Sequence, residues 1–427
     1  MFNKRYLTTK KIWISFLSFI AVVGTVKLFH VIKMDFPEKS DVMDLVRGAS
    51  KHLIAKNKVV KANLLPSNTS PKEILIFGDI SVIESWFELS VMVKCFRGSN
   101  GVKQCPVFCP KYNSSINLSL GSKTSDYKNK NAIVFGLSPF TLLRNHGEVT
   151  NIKNPKFPPN VLTVFYSMEC PYRIHKWIWR IPDGKYHVTM TYLTGSNITV
   201  PYAYYKPFEK EKVPNKRNFA DGKTKLIAWM GSNCVKEVFW PRMEFIHRLQ
   251  SHVPVDTYGK CGNLTCLPRL SKKCVNMLQQ YKFYLAFENS ECHEYLTEKF
   301  WASSLQNDVV PIVYGASRED FKKFAPENSY IHVGDFKNVK ELASYIKLLD
   351  ENDHLYNKYF DWKTKGTVVN VYPQMEPSYF CEVIPFLDRN LERKPLKDSI
   401  WYNSCRSKIK HKFDPKNIGS FDNWSSW

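Results

Sequence analysis

The stretch Tyr281–Gly315, YKFYLAFENSECHEYLTEKFWASSLQNDVVPIVYG, restricts the fold more than any other part of the chain. Tyr281–Phe287 is aromatic and apolar throughout, as a buried strand is. Glu288–Glu294 is too polar to be buried. Thr297 offers a cap for a helix starting at Glu298, and Trp301 and Leu305 stand four apart on one side of it. Val309–Tyr314 is a β-branched run that ends at Gly315. Strand, helix and strand in that order form a βαβ unit, which requires a parallel sheet and an α/β fold.

In such units ligands bind past the carboxyl ends of the strands, often at a helix N-terminus. Tyr295, Thr297, Glu298 and Lys299 stand at that place. A carboxylate there can accept from both hydroxyls of a ribose, and a lysine one residue on can neutralise a phosphate. The same residues also read as a capping carboxylate beside a solvated lysine, and spacing alone does not separate the two readings.

The 427 residues suffice for two domains with sizeable cores, and 44% hydrophobic content excludes a disordered chain. The net charge of +22 points to an anionic partner, but beyond the N-terminus the lysines are scattered rather than clustered, which argues against nucleic acid. Lys4, Arg5, Lys10 and Lys11 precede an apolar run, Ile12–Phe29, broken only by Lys27. The run is long enough to span a bilayer, and the charge before it predicts a cytoplasmic N-terminus. The expected organisation is therefore a cytoplasmic tail (1–11), an uncleaved signal anchor (12–29) and a polar, lysine-rich stem (30–71). A lumenal body follows, the topology of a single-pass type II membrane protein. Sequons at Asn68, Asn113, Asn117, Asn197, Asn263 and Asn423 agree with passage through the secretory pathway. The 11 cysteines lack Cys-x-x-Cys spacing, which favours disulfides over zinc, and their odd number leaves at least one thiol unpaired in a monomer.

Ile74–Phe77, Ala132–Phe135 and Val161–Phe165 read as short buried strands of a first domain (72–210). The last leads to Glu169-Cys170-Pro171, a carboxylate just past a strand end, where active-site groups of α/β domains sit and where a glutamate in a surface turn would sit too. A charged, proline-bearing linker follows. The second domain (222–393) opens with the strand Lys225–Met230 and a helix from about Pro241, with Arg242 in its first turn. A basic tail (394–427) closes the chain, and Cys405 is expected to tie it back to the body.

The stretch singled out first resembles the donor-binding motif of the α1,3-fucosyltransferases of glycosyltransferase family 10. That motif runs Phe-Glu-Asn-Ser, Tyr-x-Thr-Glu-Lys, Val-Pro-x-Val-x-Gly. Here it reads Phe287-Glu288-Asn289-Ser290, Tyr295-Leu296-Thr297-Glu298-Lys299 and Val310-Pro311-Ile312-Val313-Tyr314-Gly315. Val255-Asp256-Thr257-Tyr258-Gly259-Lys260-Cys261-Gly262 matches a second family segment, with Cys261 as a disulfide partner. Glu169-Cys170-Pro171 resembles the family's Glu-Ser-Pro, and Thr189–Asn197 departs from a family segment that carries two arginines and an acid.

The resemblance implies a GT-B-like α/β architecture: two Rossmann-like domains facing a cleft, behind the transmembrane anchor and stem, in the Golgi membrane with the catalytic domain lumenal. It implies inverting transfer of L-fucose from GDP-fucose to the 3-hydroxyl of GlcNAc in a glycan acceptor. Glu169 would be the catalytic base, and Arg242, Asn289, Tyr295, Glu298 and Lys299 would bind the donor. The rivals are a glycosyltransferase using another sugar nucleotide and a membrane-anchored glycan-binding protein. No Asp-x-Asp occurs in the chain, so no metal ligand is assigned, and no cofactor is required; a divalent cation (Mn or Mg) acts at most as a stimulant.

Overall fold

The computed structural model describes residues 70–405, apart from 79, 86–89, 97–103, 138–157, 159, 178–183, 214–216, 235–237, 239 and 268–270. The anchor 12–29, the stem, the sequons at Asn68 and Asn423 and the tail beyond 405 lie outside the described residues. Among the described residues no helix is long and apolar enough to cross a membrane.

Two sheets carry the fold. The first half contributes β1 (Lys72–Phe77), β2 (Gln104–Cys109), β3 (Ser114–Gly121), β4 (Ala132–Phe135), β5 (Leu162–Ser167), β6 (Lys185–Tyr186), β7 (Val188–Thr191), β8 (Ile198–Thr199) and β9 (Ala203–Pro207). Seven of these form a sheet in the order β2-β3-β1-β4-β5-β7-β8. All its pairs are parallel except the β2–β3 edge hairpin, so Ile74 lies opposite Ala132 and Ala132 opposite Leu162. The second half contributes β10 (Lys225–Met230), β11 (Val255–Tyr258), β12 (Tyr281–Phe287), β13 (Val310–Tyr314) and β14 (Ile331–His332), all parallel in the order β11-β10-β12-β13-β14. The strand order reverses between β10 and β12, and in open α/β sheets the ligand crevice opens at such a switch point.

Strand β12 is buried along its whole length. Phe283, Leu285 and Phe287 enter one core, while Tyr284 and Ala286 enter another that is continuous with the core of the first sheet. The helix expected from about Pro241 runs Arg242–Gln250, with Phe245, Ile246 and Leu249 buried.

The connection from β12 to β13 departs from expectation. Residues 297–307 form a chain of turns that ends in a short 3-10 segment, Leu305–Asn307, and not an α-helix. Their N–H groups reach back by three, four or five residues: Phe300 to Thr297 O (3.1 Å), Ala302 to Glu298 O (2.9 Å) and Gln306 to Trp301 O (3.1 Å). Side chains take other carbonyls of the segment. Trp301 Nε1 takes Leu296 O (3.1 Å), Ser304 Oγ takes Lys299 O (2.7 Å) and Asn307 Nδ2 takes Ala302 O (3.1 Å). No aligned stack of peptide dipoles starts at Glu298, so the assistance expected there from a helix N-terminus is withdrawn.

The last part of the chain also lies elsewhere than the sequence division suggests. From β15 (Gly366–Asn370), which pairs antiparallel with β9, it crosses back to the first sheet. Val371, Met375, Phe380 and Val383 enter the first core, and Cys381 is bonded to Cys109. Glu382 accepts from Lys111 Nζ (2.8 Å) and Tyr112 Oη (2.6 Å). The final strand, β16 (Lys394–Pro395), pairs with β6. Trp401, fully buried, packs on Phe165 with ring centroids 4.8 Å apart. Cys405 is bonded to Cys292, which ties the tail to the body as expected. With Cys95–Cys105, Cys234–Cys261 and Cys266–Cys274, ten of the 11 cysteines are paired, and Cys170 is the buried free thiol.

Candidate functional site

The loops at the carboxyl ends of β5 and β12 meet. On the second-sheet side, β12 stops at Phe287 and the chain turns at Glu288 beside Gly315, whose φ of +135° suits glycine. A Cβ on Gly315 would stand 2.6 Å from Glu288 Cβ. This close approach lets the Glu288 carboxylate, 1% exposed, turn inward, and against the expectation that Glu288–Glu294 is too polar to be buried, Glu288 to Cys292 are all buried. It accepts from Thr297 N (2.9 Å), Thr297 Oγ1 (2.9 Å) and Lys299 Nζ (3.0 Å). Lys299 also donates to Thr297 Oγ1 (2.9 Å) and Glu298 Oε1 (3.4 Å). Burial pushes the Glu288 carboxyl up, and Lys299 opposes that push. Burial works against the charge on Lys299, but the carboxylates of Glu288 and Glu298 outweigh it and raise its pKa. The result is a cation fixed at the switch-point crevice by a carboxylate beneath it.

Arg242 lies under this clasp, 3% exposed. Its Nη1 donates to Phe287 O (3.0 Å) and its Nη2 to Asn233 O (2.7 Å). Burial lowers its pKa to about 10, with Glu288 opposing the shift, so it stays charged at neutral pH. A guanidinium whose two Nη atoms bond main-chain carbonyls braces the ends of β10 and β12. It does not present the open edge that direct pyrophosphate binding requires.

On the first-sheet side, the main chain of Glu169 is pinned twice. Ser167 Oγ donates to Glu169 O (3.0 Å) and Trp401 Nε1 donates to the same oxygen (3.1 Å). The Glu169 side chain, 23% exposed, pairs through Oε1 with Arg173 Nη1 at 3.0 Å. Its Oε2 accepts from Tyr295 Oη at 3.2 Å. Tyr295, expected to touch the donor, is thus buried between Tyr192 and Tyr202 with its hydroxyl on the candidate base. Asn289 is also turned away from the crevice, with Oδ1 3.6 Å from Cys170 Sγ, and Ser290 Oγ lies 3.1 Å from the same sulfur. Burial, with the Glu169 charge adding to it, pushes the Cys170 thiol up to about 12. The structure therefore brings Glu169, Asn289 and Tyr295 together at the seam between the sheets and Glu298 with Lys299 at the crevice, and it sets Arg242 below.

Sequence reasoning missed Arg173 and Trp401. Arg173 was within reach: Pro171 at a helix start and an acid–base spacing of four are both local signals. In the segment that departs from the family pattern, Leu193 is buried, while Thr194 donates through N (2.6 Å) and Oγ1 (2.7 Å) to Glu294. Lys323 supplies the positive charge on Glu294 at 2.9 Å. Of the sequons, Asn113, Asn197 and Asn263 are exposed, whereas Asn117 commits Nδ2 to Glu73 Oε1 at 2.9 Å.

Comparison with known proteins bears on this arrangement. Residues 220–401 match the family model described as glycosyltransferase family 10 (fucosyltransferase), C-terminal. The chain is 40% identical over 265 residues to glycoprotein 3-alpha-L-fucosyltransferase A of Drosophila melanogaster, covering 61% of this chain and 50% of that protein. It is 36% identical over 200 residues to a Homo sapiens 4-galactosyl-N-acetylglucosaminide 3-alpha-L-fucosyltransferase (47% and 53% covered). It is 37% identical over 227 residues to a Bos taurus 3-galactosyl-N-acetylglucosaminide 4-alpha-L-fucosyltransferase (52% and 60% covered). The matches thus span half to three-fifths of these relatives' lengths. A crystal structure of an alpha1,3-fucosyltransferase with GDP-fucose aligns with a TM-score of 0.43 at 18% identity, over 76% of this chain and 93% of that one.

Proposed function

We propose, from the match of residues 220–401 to the glycosyltransferase family 10 model, that the protein belongs to that family and transfers L-fucose from GDP-fucose to the 3-hydroxyl of a GlcNAc residue in a glycan, with inversion. The observation that carries this reading is the pairing of two unlike groups where the sheets meet: a buttressed lysine at the nucleotide crevice and a pinned carboxylate on the opposite side. Glu298 would accept from the ribose hydroxyls of GDP. Lys299, held by Glu288 and Thr297, would balance the charge that develops on the diphosphate as the anomeric carbon–oxygen bond breaks. Glu169 would take the proton of the acceptor hydroxyl as that oxygen attacks the anomeric carbon. A β-linked donor then gives an α-linked product in one displacement, with GDP as the leaving group.

In this reading the two parallel sheets, whose carboxyl-end loops meet, are the halves of a GT-B-like enzyme. Arg242 acts by holding β10 against β12. The transfer is metal-independent, with Mn or Mg at most stimulatory, on the ground that the chain has no Asp-x-Asp. The apolar run 12–29 makes it a type II Golgi membrane protein with the body lumenal, and five disulfides agree with an oxidising compartment.

The test uses full-length protein in detergent with GDP-fucose, UDP-sugars and a panel of GlcNAc-terminated, LacNAc and N-glycan-core acceptors, with the product linkage read by NMR. Fucose on the 3-hydroxyl is expected. Transfer from another sugar nucleotide, or stabilisation by glycan without any transfer, replaces this reading with one of its rivals.

A further inference from the structure

We propose that Arg173 is a positioning residue for Glu169 and that its charge enters the pH dependence of transfer; this rests on Glu169 being the base. Helix Pro171–Trp177 begins with proline and so puts Arg173 one turn beyond Glu169, which places Nη1 3.0 Å from Oε1. The pair is not an ordinary surface contact, since its side chains are 16% and 23% exposed. The second oxygen is held by Tyr295 from the opposite sheet, and the main chain is held by Ser167 and Trp401. Two donors, one ionic and one neutral, therefore fix the carboxylate rotamer, while each oxygen keeps a lone pair for an incoming hydroxyl.

The charge relations follow from the groups that face Glu169. Arg173 comes from its own helix, Tyr295 from the loop after β12, Tyr192 from the turn after β7 and Tyr202 from the approach to β9; Cys170 is its chain neighbour. Burial holds the three tyrosines neutral, and burial with Glu169 itself holds Cys170 neutral. Among these groups Arg173 carries the charge. A cation against a carboxylate favours the ionised form, so removing it lets the carboxylate keep its proton to higher pH.

The experiment compares pH profiles of kcat/KM for the acceptor in full-length wild type, Arg173→Gln, Arg173→Lys, Tyr295→Phe and Glu169→Gln. Stabilisation by GDP serves as the folding and donor-site control. In Arg173→Gln the acid limb should move to higher pH, the direction expected when a carboxylate loses a cationic partner. Turnover at the optimum should fall by about tenfold through lost positioning, with GDP binding unchanged. Arg173→Lys should leave the limb in place with an intermediate rate. Tyr295→Phe should lower turnover and move the limb in the same direction but by less, since a neutral donor favours the carboxylate less than an adjacent cation does.

An unmoved limb in Arg173→Gln, or a displaced one in Arg173→Lys, overturns the proposal; the lysine variant decides the matter if the glutamine variant does not fold. Glu169→Gln separates the two levels of the argument. Normal turnover in Glu169→Gln removes the base itself and this inference with it. An inactive Glu169→Gln beside an unmoved Arg173→Gln limb removes only the inference.

Discussion

Gly315→Ala is the most direct probe of the clasp that holds Lys299. Carbon atoms in contact sit roughly 3.5–4.0 Å apart, and the new Cβ would stand 2.6 Å from Glu288 Cβ and 3.0 Å from Glu288 Cγ. Relief requires Glu288 to retreat by about 1 Å, which stretches its 2.9–3.0 Å bonds to Thr297 and Lys299 beyond hydrogen-bond range. Losing bonds to a charged acceptor costs about 1.5–3 kcal/mol each before relaxation, and alanine at this φ adds about 1–3 kcal/mol. We expect a net loss of about 3–5 kcal/mol of stability, weaker GDP binding and a fall in turnover of about 100-fold.

The structure supplies the control. Gly222 also has a positive φ, +76°, but nothing lies within 4 Å of the Cβ it would gain. Gly222→Ala therefore carries the backbone cost alone. Glu288→Ala removes the same contacts as Gly315→Ala, so the double variant should be less destabilised than the sum of the two. The assays are denaturant midpoints, GDP titration calorimetry and transfer rate. A Gly315→Ala protein no less stable than Gly222→Ala, with wild-type GDP affinity and turnover, would refute the clasp.

Other outcomes can be checked independently. Lys299→Ala should lower transfer by about 100-fold, as loss of one stabilising contact to a leaving group does, and wild-type turnover would remove it from the mechanism. Protein dialysed exhaustively against chelator should still transfer fucose; complete inactivity restored only by manganese would show metal dependence. His332, 2% exposed, is lowered by burial from 6.5 to about 4. The unfolded chain therefore binds the extra proton first, and stability present above pH 6.5 is lost as pH falls toward 4. That loss amounts to about 3 kcal/mol. In His332→Asn the urea midpoint should change less between pH 7 and pH 4.5 than in wild type, and an equal change would refute the assignment.

Sequence legibility followed the range of the interactions. Strands β10, β12 and β13 could be read because each is a nearly continuous apolar run. Strand β3 carries Ile116 and Leu118 at period two, both fully buried, but its serines and Asn117 read more readily as parts of sequons. The segment after Thr297 has a helical pattern, and its form was decided by Trp301, Ser304 and Asn307 taking main-chain carbonyls. The family resemblance assigned Tyr295 to the donor, and no local pattern showed where its hydroxyl would lie. Glu294 before it has a φ of +55°, and the tyrosine that follows is buried with its hydroxyl on Glu169. Trp401 lies 232 residues from the carbonyl it holds, a separation that no local pattern encodes.

That separation also orders events during synthesis. A ribosome adding roughly 5–20 residues per second needs about 10–50 s to pass from Glu169 to Trp401, and the first sheet can form throughout that interval without its last donor. Cys292 likewise waits for Cys405, 113 residues downstream. In the meantime Cys170 and Cys292 are both free thiols, and Cys170 belongs within 3.1 Å of Ser290, two residues from Cys292. Premature joining of Cys170 to Cys292 would strand Cys405 and leave Trp401 unseated. A chain mispaired in that way would need thiol–disulfide exchange to free Cys292 before its C-terminal strap could seat, and replacing Cys170 with serine should shorten the path to folded protein.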